Sequence, residues 1–587
     1  MALSFARKRL NALLGAQAFG AVGALVPRIA DLFVSGNVVG VDALTAIAAI
    51  MPVTIGALFV GKLVYCGSGY LFAKYQGEFR NDRAREVVGV SLELAALAGL
   101  VIWTTMFFGR DLYFDLMGLE GAVREQAASY WAWNAVFVAV FPADMSMWRL
   151  VYADGETVTT SIGDFCQPFF TLALAIPFAK ATGSAGGSAL GTLIAELLAC
   201  SIMLLHLFRK SNAVVPKWCF SPSLAKELVA YSLTDSSSRL CQCGFLAVVN
   251  RLIIHAGSVR FLPVVSVVAL VVEFREVLDK IGDGYMPIAE MYIGEGNRPR
   301  LGELVRQGVG VAVFTGTACA ALILLFAPQI VAAYGIPAGD VFDLAVSALR
   351  ISALSIPFAA VMAFMTSHLL VVNRVALSLL GTLLEQFVLT ASCTVALGGL
   401  WGVGILWGGM PLGVALTLAA FAVYCRFRDD KAFPEPVFEK GNAILNVSYV
   451  PEPGRIVEVR NEVEAFLSAQ DVPRETVMRI ALLTEECSMA LVDRRDSRAK
   501  RIIAEVSVTV GKEDVQVIFR DTGAMGDLTD ADAPVSGLRT FVITGLMQVV
   551  RERQYLNTIS CNRAMFTFRT RSPGIGLAGA KGAENMV

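Results

Sequence analysis

The chain has 587 residues, 55% of them apolar and only 17% charged, with a mean hydropathy of +0.61. Soluble domains carry about 25% charged residues, so a wholly water-soluble protein is excluded. The net charge of -1 points to no partner, nucleic acid included, and the eleven cysteines are scattered without a CxxC pair, which argues against a metal centre or disulfide framework.

Apolar runs of about 20 residues, enough to cross ~30 Å of hydrocarbon, recur as far as residue 425. They predict twelve helices, near 12–36, 44–72, 87–108, 122–150, 158–179, 187–208, 226–255, 260–292, 305–333, 342–371, 375–397 and 400–425. Arg7, Lys8 and Arg9 precede the first run and no small-residue cleavage site ends it, so it reads as a span. Basic residues orient the chain. With the N-terminus cytoplasmic, the inner segments hold Arg7, Lys8, Arg9, Lys74, Arg80, Arg83, Arg85, Arg149, Arg209, Lys210, Lys217, Lys226, Arg298, Arg300, Arg306 and Arg374. The outer loops hold only Arg110, Arg124, Lys180 and Arg260. An even number of spans returns the C-terminus to the cytoplasm, giving a multi-pass inner-membrane protein in contact with the lipid bilayer. Trp131, Trp133, Trp148, Trp401 and Trp407 fall near span ends and read as interfacial anchors.

The two halves echo each other at an offset of 217. Tyr75-Gln76-Gly77-Glu78 returns as Tyr292-Ile293-Gly294-Glu295, Val39-Gly40 as Ala256-Gly257, and Gly118 as Gly335. An offset crossing an even number of spans is a parallel repeat, six helices plus six. Such bundles commonly enclose a substrate cavity that opens alternately to each side. The expected organisation is an N-lobe over 1–216, a C-lobe over 217–428, a linker over 429–442, a cytoplasmic domain over 443–572 and a disordered tail over 573–587.

Three segments carry a family resemblance. Asp31-Leu-Phe-Val-Ser-Gly36 with the following Val39-Gly40-Val-Asp-Ala43, Gly183-Ser-Ala-Gly186-Gly-Ser-Ala189, and Gly294-Glu-Gly-Asn297 resemble signatures of the multidrug and toxic compound extrusion (MATE) family. The resemblance covers residues 5–428. It implies an all-α transmembrane bundle of two six-helix lobes in a V, extruding amphiphilic or cationic compounds in exchange for protons or sodium ions.

Ionisable groups inside spans cost about 2.5 kcal/mol or more each, so they are functional or paired. Asp31 matches the family's first-span aspartate, which takes up the coupling cation; Arg28, one turn earlier, offers a structural ion pair as the alternative. The family's fifth span carries an Asn and an Asp four residues apart. Here Gln167 and Thr171 have that spacing but cannot titrate, and Asp164 lies one turn earlier. The seventh segment has Asp235, Arg239 and Gln242 on one stripe, and the eighth has Glu273, Arg275, Glu276, Asp279, Lys280 and Asp283. Glu276, Asp279, Lys280 and Asp283 share a helical face that lines either a wet cavity or a seam of internal ion pairs. Glu385 and Glu196 add single carboxylates.

After residue 428 the chain turns polar, with prolines at 434, 436, 451 and 453. Strands are expected over 443–450, 501–510, 514–521, 553–560 and 563–570, and helices over 455–469, 473–494 and 537–551. The order resembles the histidine-kinase-like ATPase fold, an α/β two-layer sandwich, in its anti-sigma-factor kinase branch. Thr484-Glu485-Glu486-Cys487, Arg520-Asp521-Thr522-Gly523, Gly537-Leu538-Arg539 and Asn562-Arg563 carry that resemblance. It implies that Asp521 accepts from an adenine amino group, with Gly523 and Gly537 admitting ATP or ADP. The family's magnesium-holding Asn is replaced at Met489 or Ala490, and a side chain stands for the second glycine of the phosphate loop. Catalysis is therefore not expected, and the domain reads as a degenerate regulatory one that binds a nucleotide or a cytoplasmic partner protein.

The sequence thus points to ion-coupled efflux of a small molecule. The alternatives are a lipid-linked precursor flippase, which would want a more cationic cavity, and a membrane-bound sensor whose soluble domain binds a signalling protein.

Overall fold

The computed structural model describes residues 4–11, 13–15, 32–77, 81–154, 157–208, 212, 214–219, 221–256, 261–429, 442–493, 502–523, 545–557 and 562–569. Most of the first expected span, the expected linker short of residue 442 and the expected tail over 573–587 lie outside the described residues. Two compact units divide the chain. The smaller takes in residues 1–13, 287–304 and 437–587; the larger takes in 14–286 and 305–436.

Helix α1, over 5–11, belongs to the smaller unit. The larger unit is helical, with α2 (Val41–Gly77), α3 (Asn81–Met117), α4 (Gly121–Ala153), α5 (Thr157–Thr182), α6 (Ala185–Leu204), α7 (Pro222–Ala256), α8 (Leu262–Gly294) as far as residue 286 and α9 (Arg298–Ala333) from residue 305. Then follow α10 (Asp340–Ala353), α11 (Ile356–Val371), α12 (Val375–Leu383), α13 (Leu389–Trp401) and α14 (Gly409–Asp429). By length and composition eight of the described helices can cross a membrane, or nine if α10 and α11, bent by 42°, form one span. The α7 and α8 helices, 35 and 33 residues long, are long enough but fall outside that group, because polar and charged residues run through their middles. A π-helical turn over Leu384–Val388 joins α12 to α13 and contains the buried Glu385.

Helix ends repeat where the sequence does. Both α2 and α8 stop at the glycines of the repeated Tyr-x-Gly-Glu, Gly77 and Gly294. Both α3 and α9 are followed by a left-handed glycine, Gly118 (φ 65°) and Gly335 (φ 76°), a conformation that a Cβ would disfavour.

The glycine-rich segments are contact surfaces. The Ser35 hydroxyl meets that of Ser188 at 2.9 Å, joining the π-helical turn Ser35–Val39 to the Gly183–Ala189 segment. A Cβ on Gly187 would lie 2.4 Å from the Phe178 carbonyl oxygen, and one on Gly191 2.5 Å from Ala175. Small residues here let α5 and α6 approach at backbone distance, as membrane helices lacking a hydrophobic drive require. Gly36 faces the Tyr334 carbonyl, where a Cβ would sit 2.0 Å away.

In the smaller unit five antiparallel strands, β1 (Ala443–Tyr449), β2 (Ala504–Val510), β3 (Asp514–Asp521), β4 (Glu552–Asn557) and β5 (Asn562–Arg569), form one sheet in the order β1-β2-β3-β5-β4. Helices α15 (Pro453–Ser468) and α16 (Arg474–Asp493) pack on it. Alternation places Val447, Val506, Val508, Val517, Phe519, Phe566 and Phe568 on the face that meets Ile456, Val463, Ile480 and Leu483. The strands start and end within about three residues of those read from the pattern. Of the expected helix over 537–551, residues 537–544 lie outside the described residues and a short turn of helix covers 545–547.

Candidate functional site

The larger unit holds a cavity of about 320 Å³ lined by α2, α4, α5, α6 and α8. Among the described residues six acids reach it, Asp144, Asp164, Glu196, Glu273, Asp279 and Asp283, against three bases, Lys62, Arg149 and Lys280. Tyr65, Tyr130, Phe137, Phe141 and Trp148 make up its aromatic wall.

Its polar centre is built from three helices. On α6, Glu196 accepts a hydrogen bond from the Gln167 side-chain amide of α5. Asp144 of α4 and Cys200 of α6 line the same part of the cavity as Glu196. Asp144 and Glu196 are 8% and 6% exposed. Two buried carboxylates in one small cavity repel when both are ionised, and a proton on one of them removes that repulsion. The pair can therefore carry a proton and release it. Beside it the Trp148 indole donates to Asp164 at 3.1 Å and stacks on Tyr152, ring centroids 5.3 Å apart.

On α8, Asp279, Lys280 and Asp283 all line the cavity, with Lys280 and Asp283 paired at 2.9 Å. Glu273 lies 3.5 Å from Arg239, which donates to Gln242 at 2.9 Å. Of the α8 face read from the sequence, Asp279, Lys280 and Asp283 thus line the cavity, and Glu273, earlier on the helix, lines it while facing Arg239.

Several expected residues fall elsewhere. Thr171 is buried and donates to the Gln167 carbonyl of its own helix at 3.0 Å, away from the cavity. A hydroxyl one turn above a helical carbonyl donates to that oxygen's second lone pair and closes its bond locally before it can serve a distant group. Gln242 is occupied by Arg239, and Glu385, in the π-helical turn, does not line the cavity either. Asp31, Arg28 and Gly537 lie outside the described residues, as do the side chains of Asp235 and Glu276. Three tryptophans are not anchors. Trp148 lines the cavity, Trp131 is 3% exposed and donates to the Met106 carbonyl at 3.0 Å, and Trp407 is 1% exposed. Trp133 and Trp401 are exposed. The residue missed by sequence reasoning is Asp144; the signal was present, an acid in the apolar run Phe137–Phe141 and Pro142-Ala143-Asp144.

In the smaller unit Asp521 is buried, and its Oδ1 accepts from the Gly523 amide at 2.8 Å and the Asn562 amide at 2.9 Å. That carboxylate closes its own turn. Glu485 accepts from Arg460 at 3.2 Å, Glu486 follows it on α16, and Ala490 is buried in the core with Met489 packed against it.

Comparisons with known proteins bear on the helical part. The MatE family model matches residues 24–183 and 239–393, together more than half of the chain. Among solved structures, an inward-facing multidrug resistance MATE family transporter of the MOP superfamily aligns with a TM-score of 0.59 at 19% identity, over 71% of this chain and 94% of that one. The outward-facing form gives 0.60 at 20% identity, over 72% and 96%. The MATE multidrug transporter DinF-BH, solved as a complex, gives 0.61 at 18% identity, over 73% and 96%. No curated protein matches. With a helical bundle whose glycine-marked ends recur in each half, and with the family model matching once in each half, the chain belongs to the MatE family of multi-pass membrane transporters.

Proposed function

We propose that the protein extrudes cationic or amphiphilic small molecules by alternating access, driven by protons that load and leave the Asp144–Glu196 dyad. The observation that carries this reading is the pair of buried carboxyls, Asp144 and Glu196, lining one cavity that also holds an aromatic wall and an excess of acids. A proton on the dyad relieves its like-charge repulsion; its loss leaves two like charges close together, which drives the pair apart or draws in a cation. Exchange of proton for cationic cargo follows, since the two compete for the same negative charge. Gln167, although not titratable, holds Glu196 in place. The acid excess speaks against a pyrophosphate-bearing lipid precursor, whose head would need a basic cavity. The solved relatives named as multidrug transporters agree with small-molecule cargo. The soluble domain is taken as cytoplasmic and regulatory, with the inner membrane as the site of action.

The test is ethidium transport by full-length protein in proteoliposomes under imposed proton or sodium gradients. Proton-driven transport lost in Asp144→Asn and in Glu196→Gln, with ethidium binding retained, supports the reading. Transport that follows sodium alone, or ignores both substitutions while Asp31→Asn abolishes it, overturns the dyad's role.

A further inference from the structure

The C-terminal sheet has two unlike faces. One is the apolar face under α15 and α16. The other carries Asn446 and Ser448 of β1, Glu505 and Ser507 of β2, Arg520 of β3 and Arg563 of β5. The register sets Ser448 opposite Glu505, Glu505 opposite Arg520 and Arg520 opposite Arg563. Such a row belongs in water, yet Glu505 and Arg520 are both 0% exposed.

Membrane-helix ends cover it, within the same compact unit. Arg520 pairs with Glu295 and, at 3.0 Å, with Glu505, and its guanidinium lies over the Tyr292 ring 4.9 Å from the centroid. The Tyr292 hydroxyl donates to Glu505 at 2.7 Å. Arg563 pairs with Glu295 at 2.8 Å, and Arg300 with Glu505. Asn297 donates to Asn446 at 2.7 Å and receives from it at 3.0 Å, and the Phe5 amide donates to Ser448 at 3.0 Å. The sheet thus grips the repeated Tyr292–Glu295 motif, the start of α9 and the N-terminal residues together.

A charged network out of water is a poor source of stability, because desolvation offsets the attraction, but it is a stringent test of register: moving one member strands the others. It sits on α8, the helix that supplies Asp279, Lys280 and Asp283 to the cavity about three turns earlier.

We propose that the C-terminal domain is a latch on the α8–α9 turn: the Glu295–Arg520–Glu505–Arg300 network holds the end of α8 in one register and thereby slows the conformational exchange of the transporter. The inference rests on the transport reading above for its effect on rate, and on geometry alone for its effect on α8. A latch that must be undone before α8 moves sets a limit on any step of the cycle that moves it. What relieves it is a partner or ligand that competes for the sheet's polar face.

The experiment uses the full chain in proteoliposomes, with two readouts: initial ethidium transport rate, and hydrogen–deuterium exchange of residues 262–300 and 504–521. Arg520→Met should speed exchange in β2, β3 and 279–300, and raise the transport rate about fivefold. Arg520→Lys, which keeps a cation between Glu295 and Glu505, should hold both readouts closer to wild type. If Arg520→Met compromises folding, Asn297→Ala loosens the same turn without stranding a charge, and a smaller change in the same direction is expected. Release of the sheet with exchange over 262–286 and transport rate both unchanged would overturn the latch. If the wild type moves no ethidium, the transport reading fails, while the exchange readout over 262–286 still decides the latch.

Discussion

Buried charge occurs in both units of this molecule, and the two sets differ in the sign of their nearest partners. In the smaller unit every buried acid of the latch faces a guanidinium: Glu295 meets Arg520 and Arg563, and Glu505 meets Arg520 and Arg300. Burial pushes the Glu505 carboxyl up, and the Arg300 guanidinium with the Tyr292 and Ser448 hydroxyls opposes that push. In the membrane cavity Asp144 and Glu196 face each other and a neutral amide. An acid held by a base is committed to its charge; an acid held by an acid is committed to a proton, which can leave. The first arrangement fixes structure and the second offers chemistry.

Substitutions break that contrast in graded steps. The largest effect is expected at the dyad. Asp144→Asn removes the exchangeable proton of the pair, so proton-driven ethidium transport should fall to the level of protein-free vesicles, with the melting temperature held. In the latch, Arg520→Met strands Glu295 and Glu505 and should destabilise the C-terminal unit by about 3–5 kcal/mol, measured by chemical unfolding. Replacing the acids as well, as Glu295→Gln with Glu505→Leu and Arg520→Met, should recover part of that loss, because the two stranded buried carboxylates are gone, Arg300 keeps Glu303 and the half-buried Arg563 reaches solvent. Next comes Gly36→Ala. Its Cβ would overlap the Tyr334 carbonyl, so the chain must shift, at about 1–3 kcal/mol read from thermal unfolding in detergent. The smallest effect is Thr171→Val, which deletes only a bond to its own helix; about 1 kcal/mol of stability and an unchanged transport rate are expected. A transport defect in Thr171→Val equal to that of Gln167→Leu would erase the distinction between a cavity group and a helix-internal one.

Much of this was legible in advance. The polar break after residue 428 and the period-two pattern of Val506, Val508, Val517 and Phe519 announced a separate sheet domain, because alternation is a local property of a strand with one buried face. The 217-residue echo placed Gly118 and Gly335 in equivalent turns, and both take left-handed backbone. The mixed-sign stripe on α8 was readable as a face that lipid would not accept, and 279–283 does line the cavity. Partner choice was not readable. Gln167 and Thr171 have equal spacing arguments, but one reaches another helix and the other its own carbonyl. Glu196 looked like a single carboxylate because Asp144 lies 52 residues earlier, on another helix.

By itself, the amino-acid sequence determined which segments are apolar enough to leave water, where the chain repeats, where its helices must stop, and that a more polar sheet domain follows. These are consequences of local composition and periodicity. Tertiary structure decided which buried charges meet. It set Asp144 against Glu196 and bound Arg520 to Glu295, 225 residues away. The cost of burying a charge is offset only by what lies within a few ångströms, and that neighbourhood comes into being when the helices and the sheet pack.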